Sequence, residues 1–490
     1  MTSAQNHLQL SNGNKFFVWI CALVFMFSVS SCELLKPVQG GNNKDKNGEL
    51  DPVTGKNKDN TNDDPDIVKE ASKPNAPDTL NWTVVKPDNG GIVVIDPKDP
   101  NGDGGNDDPK NPTNEKGIPS GVKKEAYSMA VMLPLYTDKF KQTNSIPREV
   151  RRSLNFYEGV LLGLRRLEAE GLNMTVNVYD TKVNSMSSLG NVAEVQNADF
   201  ILGPVNRTKV TQMATIAKTN GSIMLSMNSG ENLASENPYY IQASPSDKKH
   251  AEAVVFYLKE KYANSKIVLL GRNEEAGAFV HYQTANTAIN DSGVLLNEYL
   301  VSGSNVNYDI RSITDYLSKA DTNIVVIPST NTGFVKSMLR ELSLLRRTYP
   351  IVVFGLPRWA SESFNRSLDP DYLQKLHVHV SSSTYINRSN PNIQSFKLDY
   401  FNEYGLAPSD ESYKGYDLAL YFGRMLKEHG TDLLKHLDSN PKEALHSTLH
   451  FVPNYMPTIG MGEGDAAVNQ FENKYVNILR FSNYQFVKMN

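Results

Sequence analysis

Apolar residues are distributed unevenly along the chain, and their pattern divides it into three parts. An apolar run, Phe16–Val29, is followed by a long polar stretch, and apolar segments at regular spacing begin only near Glu125. From there to Asn490, short and wholly apolar runs alternate with longer amphipathic ones. Wholly apolar runs predict strands of parallel sheets covered on both faces, and the amphipathic runs predict the helices that cover them.

The alternating region is too long for one ordinary core, and it contains two series of elements in tandem. The pattern therefore predicts an α/β protein with two doubly wound lobes. The predicted strands are Met129–Pro134, Thr175–Tyr179, Asp199–Leu202 and Ser222–Ser226, then Lys266–Leu270, Val294–Leu300, Ile324–Ile327, Ile351–Phe354 and Val378–Ser381, with a terminal hairpin of Tyr475–Leu479 and Tyr484–Lys488. The predicted helices include one that opens at Asn155, then Thr208–Thr219, Asp247–Tyr262, Phe279–Asn290, Ile310–Ala320 and Gly333–Arg347.

Several short motifs occur in a fixed order in this region, among them Val131-Met-Leu-Pro-Leu135, Ile201-Leu-Gly-Pro204, Tyr240–Asp247 and Gly415-Tyr-Asp-Leu-Ala419. Together they resemble the type I periplasmic-binding-protein superfamily, of the leucine/isoleucine/valine-binding-protein-like kind, over residues 123–490. The resemblance implies two Rossmann-like lobes that close on a ligand in the manner of a venus flytrap.

The resemblance also implies how the chain is divided between the lobes. Three crossovers are expected, near Ala243–Ser246, Ser382–Ile386 and Val452–Gly462. Lobe one is expected to take Glu125–Gln242 and the helices from Pro391 to about His450. Lobe two is expected to take Asp247–Ser381 and the terminal hairpin.

The first apolar run has the features of an export signal. Lys15 precedes the run, which is shorter than the about 20 residues needed to span a bilayer, and small residues follow it. Val29-Ser-Ser-Cys32 resembles the lipobox of bacterial lipoproteins, which implies a signal peptide of residues 1–31 and acylation of Cys32. An ordinary signal peptide or a signal anchor is the alternative. The residue after Cys32 is Glu33 rather than the Asp that resembles the inner-membrane retention signal of enteric bacteria. This difference favours a lipid-anchored position at the outer membrane of the cell envelope, where the folded region would face either the periplasm or the outside.

Residues 32–122 comprise the lipidated cysteine and a segment dominated by Asn, Asp, Lys, Gly and Pro. This composition predicts a disordered tether. One island, Asn81–Val85 and Ile92–Ile95, has a hairpin-like pattern and is either spacer or a contact element. Asp99–Gly104 matches the start of an EF-hand calcium loop, but Lys110 stands where a bidentate Glu is needed, so a turn-rich linker is the better interpretation.

Polar residues directly after the predicted strands are candidates for binding a ligand, because ligands of open parallel sheets lie beyond the carboxyl ends of the strands. Ser226-Met-Asn-Ser229 resembles the loop that holds the ligand's carboxylate in amino-acid binders, although it departs from the usual Ser-Ala-Ser/Thr pattern. A helix cap or a turn is the alternative role for each candidate. The candidate ligand-binding residues are Tyr136, Asn206, Arg207, Ser226, Asn228 and Ser229 in lobe one, and Arg272, Glu274, Glu275, Asn331 and Trp359 in lobe two.

Enzymatic function is not indicated. The sequence has no Gly-x-Ser-x-Gly elbow, no His-Glu-x-x-His, no P-loop and no cofactor-binding glycine motif after the first strand. His377 and His379 are expected to share one face of a strand, with sheet packing favoured over a metal site. The formal net charge of −4 gives no indication of nucleic-acid binding.

Two hypotheses for function follow. The first is a membrane-anchored extracytoplasmic lipoprotein that captures a small polar ligand, such as an amino acid, in the cleft between the lobes. The second is an outer-membrane lipoprotein that uses the same fold to contact an envelope protein and regulate peptidoglycan synthesis. The ordered motifs favour the first hypothesis, and the long tether favours the second.

Overall fold

The structure, a computed structural model, describes residues 117–140, 146, 150–230, 233–290, 293–301, 308–438, 441–456 and 467–489. The predicted signal peptide, Cys32, most of the tether, the hairpin-like island and the calcium-like loop all lie outside these residues. Within the described ranges, no helix is both long enough and apolar enough to cross a membrane.

The described residues form sixteen strands, twelve α-helices and four 3₁₀ helices. The strands are β1 Tyr127–Leu133, β2 Met174–Asp180, β3 Phe200–Leu202, β4 Ile223–Ser226, β5 Tyr240–Gln242, β6 Lys266–Gly271, β7 Asn297–Leu300, β8 Asn323–Ile327, β9 Ile351–Gly355, β10 His379–Ser382, β11 Lys442–Glu443, β12 Thr448–Leu449, β13 Phe451–Tyr455, β14 Val468–Asn473, β15 Asn477–Ser482 and β16 Gln485–Lys488. The α-helices are α1 Thr137–Phe140, α2 Arg151–Ala169, α3 Met186–Gly190, α4 Ala193–Gln196, α5 Arg207–Asn220, α6 Asp247–Lys261, α7 Ala276–Asn290, α8 Thr332–Leu345, α9 Glu362–Asn365, α10 Pro370–Lys375, α11 Pro391–Tyr404 and α12 Asp410–His429. The 3₁₀ helices are Asn273–Glu275, Arg311–Tyr316, Pro357–Ala360 and Gly430–His436.

Lobe one is built on a seven-stranded sheet in the order β13-β14-β5-β4-β3-β1-β2. Its strands are parallel except for β13, which pairs antiparallel with β14. The central strands are wholly buried, because helices cover both faces. Helices α2 and α12 pack so closely that a Cβ atom on Gly159 would lie 1.9 Å from the carbonyl oxygen of Ser412. This position therefore requires glycine.

Lobe two repeats the plan with a seven-stranded sheet in the order β16-β15-β10-β9-β8-β6-β7. Strands β6 to β10 are parallel, and the terminal hairpin β15–β16 adds antiparallel to β10. The two-lobed α/β fold predicted from the sequence is confirmed.

The two lobes have separate hydrophobic cores. One group of buried clusters lies on the helices and strands of lobe one, and the other lies on those of lobe two. In the second crossing, Tyr385 packs against a cluster of lobe two and Ile386 packs against a cluster of lobe one. The buried clusters of lobe one are therefore distinct from those of lobe two.

The chain crosses between the lobes after β5, after β10 and after β14. The first two crossings match the predicted positions, but the third does not. It was expected near Val452–Gly462, whereas β13 and β14 both belong to the sheet of lobe one and the chain crosses at Lys474–Val476. An apolar pattern identifies a strand but does not specify which sheet accepts it.

Two smaller expectations are also corrected. The predicted helix Ile310–Ala320 is the short 3₁₀ helix Arg311–Tyr316, because the Asn323 side chain accepts the Ser318 backbone N–H and donates to the Ser318 carbonyl, both at 2.7 Å, and so takes the backbone groups that a longer helix would use. The predicted strand Val294–Leu300 begins only at Asn297. Val294 is 68% exposed and therefore lies outside the sheet's buried face.

The packed region begins before Lys123, in a segment that the sequence assigned to the tether. Ile118 is buried in the core of lobe one. The backbone N–H of Gly121 donates to Asp432 at 2.9 Å, and that of Val122 donates to Thr431 at 2.9 Å. This segment meets lobe one near the amino end of β1, which is the opposite end from the candidate site.

Candidate functional site

All three crossings connect the carboxyl edges of the two sheets. Strands β5 and β10 enter their crossings from their carboxyl ends, and so does β14, which is parallel to β5. Strand β15 starts at the carboxyl edge of lobe two, since it runs antiparallel to β10. The loops that follow the parallel strands of both lobes therefore flank the crossings, and they define the candidate cleft, as expected for open α/β sheets.

A buried carboxylate secures the first crossing. Glu472, which is 3% exposed, accepts the backbone N–H of Ser246 at 2.7 Å and the side-chain amide of Asn454 at 2.9 Å. The amide of Asn473 donates to the carbonyl of Ala243 at 3.3 Å. Strand β14 thereby holds the start of the hinge against lobe one.

Ser226 is the last residue of β4, and the loop that follows contains Asn228 and Ser229. The side chains of Ser226 and Asn228 form hydrogen bonds within lobe one. The Ser226 hydroxyl donates to the carbonyl of Pro204 at 3.2 Å and accepts the Asn228 backbone N–H at 3.2 Å. The Asn228 amide donates to the carbonyl of Val205 at 2.8 Å and accepts the Gly230 N–H at 2.8 Å. These bonds join the loops after β3 and β4, whereas Ser229 is exposed. The loop is therefore preorganised, with Ser229 as its accessible hydroxyl.

Tyr136 lies in the loop after β1, in a left-handed conformation with φ of 54°. The Asp180 carboxylate holds this loop by accepting the backbone N–H groups of Leu135 and Thr137 at 2.9 and 2.7 Å. Burial opposes ionisation of Asp180, but these and neighbouring hydrogen bonds outweigh it, so the pKa of Asp180 lies below its usual value. The Lys182 ammonium lies 4.8 Å from the centre of the Tyr136 ring, within cation–π range.

Asn206 and Arg207 lie at the start of α5 and are both exposed. Asn206 is the N-cap of this helix and accepts the Lys209 backbone N–H at 3.3 Å. A Cβ atom on Gly230 would lie 2.9 Å from an Arg207 guanidinium nitrogen, which places Arg207 beside the loop after β4. The structure thus brings Arg207, Asn228 and Ser229 together.

In lobe two, three of the predicted site residues belong to a single hydrogen-bonded network. The Arg272 guanidinium binds Glu275 through Nε at 3.0 Å and Nη2 at 2.5 Å. Glu275 also accepts the Ser329 hydroxyl at 2.8 Å, and the Trp359 indole donates to the Ser329 carbonyl at 2.8 Å. Trp359 is fully buried in the core of the lobe. We name Arg272, Glu275, Ser329 and Trp359 the lobe-two network.

The electrostatics of the network favour its ionised form. Burial alone raises the pKa of Glu275, but hydrogen bonds from Arg272 and Ser329 hold it below its usual value. The Arg272 guanidinium also lies 5.0 Å from the centre of the Phe334 ring. Glu274, in contrast, has a side chain that is 70% exposed, and it lies 3.7 Å from Arg272. Glu274 is therefore the accessible carboxylate at this edge.

Asn331 is exposed and serves as the N-cap of α8, where its side chain accepts the Phe334 backbone N–H at 2.9 Å. Its own backbone N–H donates to the Ser329 hydroxyl at 3.1 Å. Asn331 therefore extends the lobe-two network to the start of α8.

One polar residue at the hinge was missed by the sequence reasoning. Lys414 of α12 donates from Nζ to the Ser244 hydroxyl in the first crossing at 3.0 Å. Ser244 in turn donates to the carbonyl of Met227 at 2.9 Å, between Ser226 and Asn228. In the sequence, Lys414 directly precedes Gly415-Tyr-Asp, and this position could have drawn attention to it. The motif was used only as a mark of the family resemblance.

The two histidines near β10 do not share a strand face as expected. His377 has a φ of 44° and precedes the strand, which begins at His379. The His379 ring stacks on Phe354 with 4.6 Å between ring centres. Within the described part of the chain, no group of acidic, histidine or cysteine side chains is arranged to hold a metal ion.

The chain belongs to the periplasmic binding protein family. The family's sequence model, described as "Periplasmic binding protein", matches residues 158–470, which is more than half of the chain. The family resemblance inferred from the motifs is therefore confirmed, and the family is one of periplasmic binding proteins. No curated protein matches the chain.

Solved structures with the same fold include two kinds of protein. A branched-chain amino acid ABC transporter protein from Rhodospirillum rubrum is 16% identical, with 74% of this chain and 100% of that chain covered and a TM-score of 0.55. The C-domain of LpoA from Haemophilus influenzae, a regulator of PBP1A, is 13% identical, with 74% and 100% covered and a TM-score of 0.51. An ABC transporter substrate-binding protein from Sphaerobacter thermophilus is 14% identical, with 74% and 97% covered and a TM-score of 0.50. At these identities the likeness shows the fold.

Proposed function

We propose that the protein is a membrane-anchored, extracytoplasmic lipoprotein that captures a small polar ligand, such as an amino acid, in the cleft between its lobes. The observation that carries this proposal is the separation of the two hydrophobic cores, with the crossings placed at the cleft edge. Lobes built in this way can close on a ligand by a hinge motion without disturbing their interiors.

The chemistry of the two edges supports an amino-acid ligand. The loop after β4 is held in place by Asn228 and presents the Ser229 hydroxyl, which suits a carboxylate. Glu274 presents an exposed carboxylate on the lobe-two edge, which suits an ammonium group. A ligand with both groups would be bound by both lobes and would favour the closed state.

The membrane anchor is the second part of the proposal. Acylation of Cys32 would hold the chain at the outer membrane, and residues 33–116 would separate the lipid from the folded region. The described residues begin on the side of lobe one opposite the cleft edge. A tether attached there would leave the cleft open to solutes.

The test is a thermal-shift screen of the full chain against the amino acids, short peptides and muropeptides. A ligand at about 100 times its dissociation constant stabilises the folded state by about 2.7 kcal/mol. We expect Ser229→Trp, which fills the cleft edge, to abolish the shift. Thr219→Trp, at an exposed position in the last turn of α5 near the amino end of β4, is the matched control and is expected to leave it unchanged. A shift that survives Ser229→Trp would contradict the proposed site.

A specific observation favours a second candidate, a regulator of peptidoglycan synthesis that acts through protein contacts. The lobe-two network binds Arg272 and Glu275 to their own lobe rather than presenting them to a ligand. The LpoA C-domain has the same fold. A photo-crosslinking residue at Ser229 in the envelope is expected to capture a peptidoglycan synthase under this hypothesis. That result, combined with no shift from any solute, would favour the regulator over the solute binder.

A further inference from the structure

Lys414 is a cation at the hinge with one hydrogen-bond acceptor among the described residues. Its ammonium group donates to the Ser244 hydroxyl at 3.0 Å, and an ammonium group has three N–H donors. The single hydrogen of Ser244 is directed to the Met227 carbonyl, so Ser244 acts as the acceptor from Lys414. The Ser244 hydroxyl therefore connects Lys414 by hydrogen bonds to the segment between Ser226 and Ser229.

The charges of Glu411 and Arg152 act on Lys414 in opposite directions, Glu411 raising its pKa and Arg152 lowering it. Glu411, one turn earlier on α12, binds the Arg152 guanidinium at 2.5 Å. His446 is buried, and burial together with the charge of Lys414 lowers its pKa to about 3, so it is neutral. Within the described residues, no carboxylate lies within ion-pair distance of Lys414. Burial also lowers the pKa of Lys414 itself, which is the cost of holding a cation there without a counter-ion.

Other basic side chains also lie along the lobe-one edge, where Asp138 of α1 is an acidic neighbour. Lys139 and Lys182 lie over the Tyr136 ring at 5.1 and 4.8 Å, and Arg207 lies beside Gly230. The Asp180 carboxylate is occupied by backbone N–H groups. A zwitterionic amino acid would bring one carboxylate, which the loop after β4 can receive through neutral donors. The ammonium group of Lys414, which binds only the Ser244 hydroxyl among the described residues, would be matched by a further negative group on the ligand.

We propose that Lys414, together with Ser244, receives a second carboxylate of the ligand, so that the ligand is an acidic amino acid. The inference rests on the proposed solute-binding function and names its substrate class. The first carboxylate would lie against Ser229, and the second would accept the remaining N–H groups of Lys414. A charge-assisted hydrogen bond would then replace the missing counter-ion, and the bond would form only when ligand is bound.

The test is calorimetric titration of the full chain with L-glutamate, L-glutamine and L-leucine. Glutamine has the size of glutamate but lacks its second carboxylate. We expect the unmodified chain to bind glutamate at least about 10-fold more tightly than glutamine, as one charge-assisted hydrogen bond implies. Lys414→Met is expected to weaken glutamate binding by about 10–100-fold and to leave glutamine binding unchanged.

Two further variants separate recognition from a structural role. Lys414→Arg keeps the charge and is expected to retain most of the preference for glutamate. Lys336→Met removes an exposed lysine from α8 in lobe two and is expected to change nothing. The melting temperature without ligand reports on folding for each variant.

The outcomes are distinguishable. Binding of glutamine or leucine with no preference for glutamate would overturn the inference while the solute-binding function stands. A loss of glutamate and glutamine binding together in Lys414→Met would also overturn it, because a structural role predicts that result. Binding of none of the three amino acids would overturn the inference, and the proposed function would then depend on the wider screen.

Discussion

Replacing Arg272 by Met tests whether the lobe-two network stabilises the fold or serves the ligand. Arg272 was predicted from the sequence as a ligand-binding residue, and the structure shows it bound to Glu275 by three donors: Nε at 3.0 Å, Nη2 at 2.5 Å and its backbone N–H at 2.9 Å. Met keeps an unbranched apolar side chain at this position and removes the charge, together with the cation–π contact to Phe334. The substitution therefore isolates the ionic part of the interaction.

The expected cost follows from what remains around Glu275. The carboxylate is 8% exposed, and after the substitution it keeps the Ser329 hydroxyl and the backbone N–H of residue 272. Breaking a fully buried pair costs about 3–5 kcal/mol. The Arg272 side chain is 18% exposed and Glu275 keeps two donors, so we expect about 2–3 kcal/mol. Glu275→Gln leaves Arg272 able to reach water, and we expect about 1–2 kcal/mol.

The assay is urea unfolding of the single variants and of Arg272→Met with Glu275→Gln, analysed as a double-mutant cycle. Coupling of about 1–2 kcal/mol is expected, because both side chains take part in the same bonds. An Arg272→Met variant that loses less than about 0.5 kcal/mol, the usual range for a surface site, but fails to bind ligand would refute the structural interpretation. The pair would then be a ligand site that is closed on itself when empty.

Three further predictions concern packing, acid stability and the anchor. Gly159→Ala is expected to lower the free energy of unfolding in urea by more than about 3 kcal/mol, because its Cβ atom would lie 1.9 Å from the carbonyl oxygen of Ser412. The control is Gly277→Ala, whose Cβ atom would have no atom within 4 Å. It is expected to be neutral or stabilising by up to about 1 kcal/mol. Burial lowers the pKa of His379 to about 4, so the stability that this residue contributes is present above the unfolded pKa of about 6.5 and is lost as the pH falls. Between pH 7.5 and pH 5, the free energy of unfolding of His379→Phe is expected to fall by about 2 kcal/mol less than that of the unmodified chain. An equal fall in both proteins would contradict this. Cys32→Ala is expected to abolish labelling with a fatty-acid analogue and to leave a larger precursor, and undiminished labelling would disprove acylation at this residue.

Much of the fold could be predicted from local patterns. The strands that form the centres of both sheets are short apolar runs, and Asp247–Tyr262 was predicted as a helix that the structure places at Asp247–Lys261. These segments are buried on both faces or on one stripe, so periodicity alone identifies them. The antiparallel strand β13 was assigned to a crossing instead, because its sheet partner is chosen by packing rather than by its own sequence.

The candidate site was predicted less completely, and the reason lies in hydrogen bonding. Polar residues after strands were identified correctly as lying at the carboxyl edges, but Asn228, Arg272 and Glu275 donate to or accept from their own lobe. A sequence shows which groups can form hydrogen bonds, and only the folded chain shows which of them are already occupied. The same limit concealed Lys414, whose partner Ser244 is distant in the chain.

The sequence by itself determined the two-lobed α/β architecture, the family and the polar residues that follow the parallel strands, because each of these depends on local periodicity and on short motifs. The tertiary structure decided where the third crossing falls, that Trp359 is buried in the core and that Lys414 lies at the hinge. These features depend on contacts between residues far apart in the chain. Such contacts are selected by the burial and hydrogen bonding of the whole molecule, and they leave no local pattern to read.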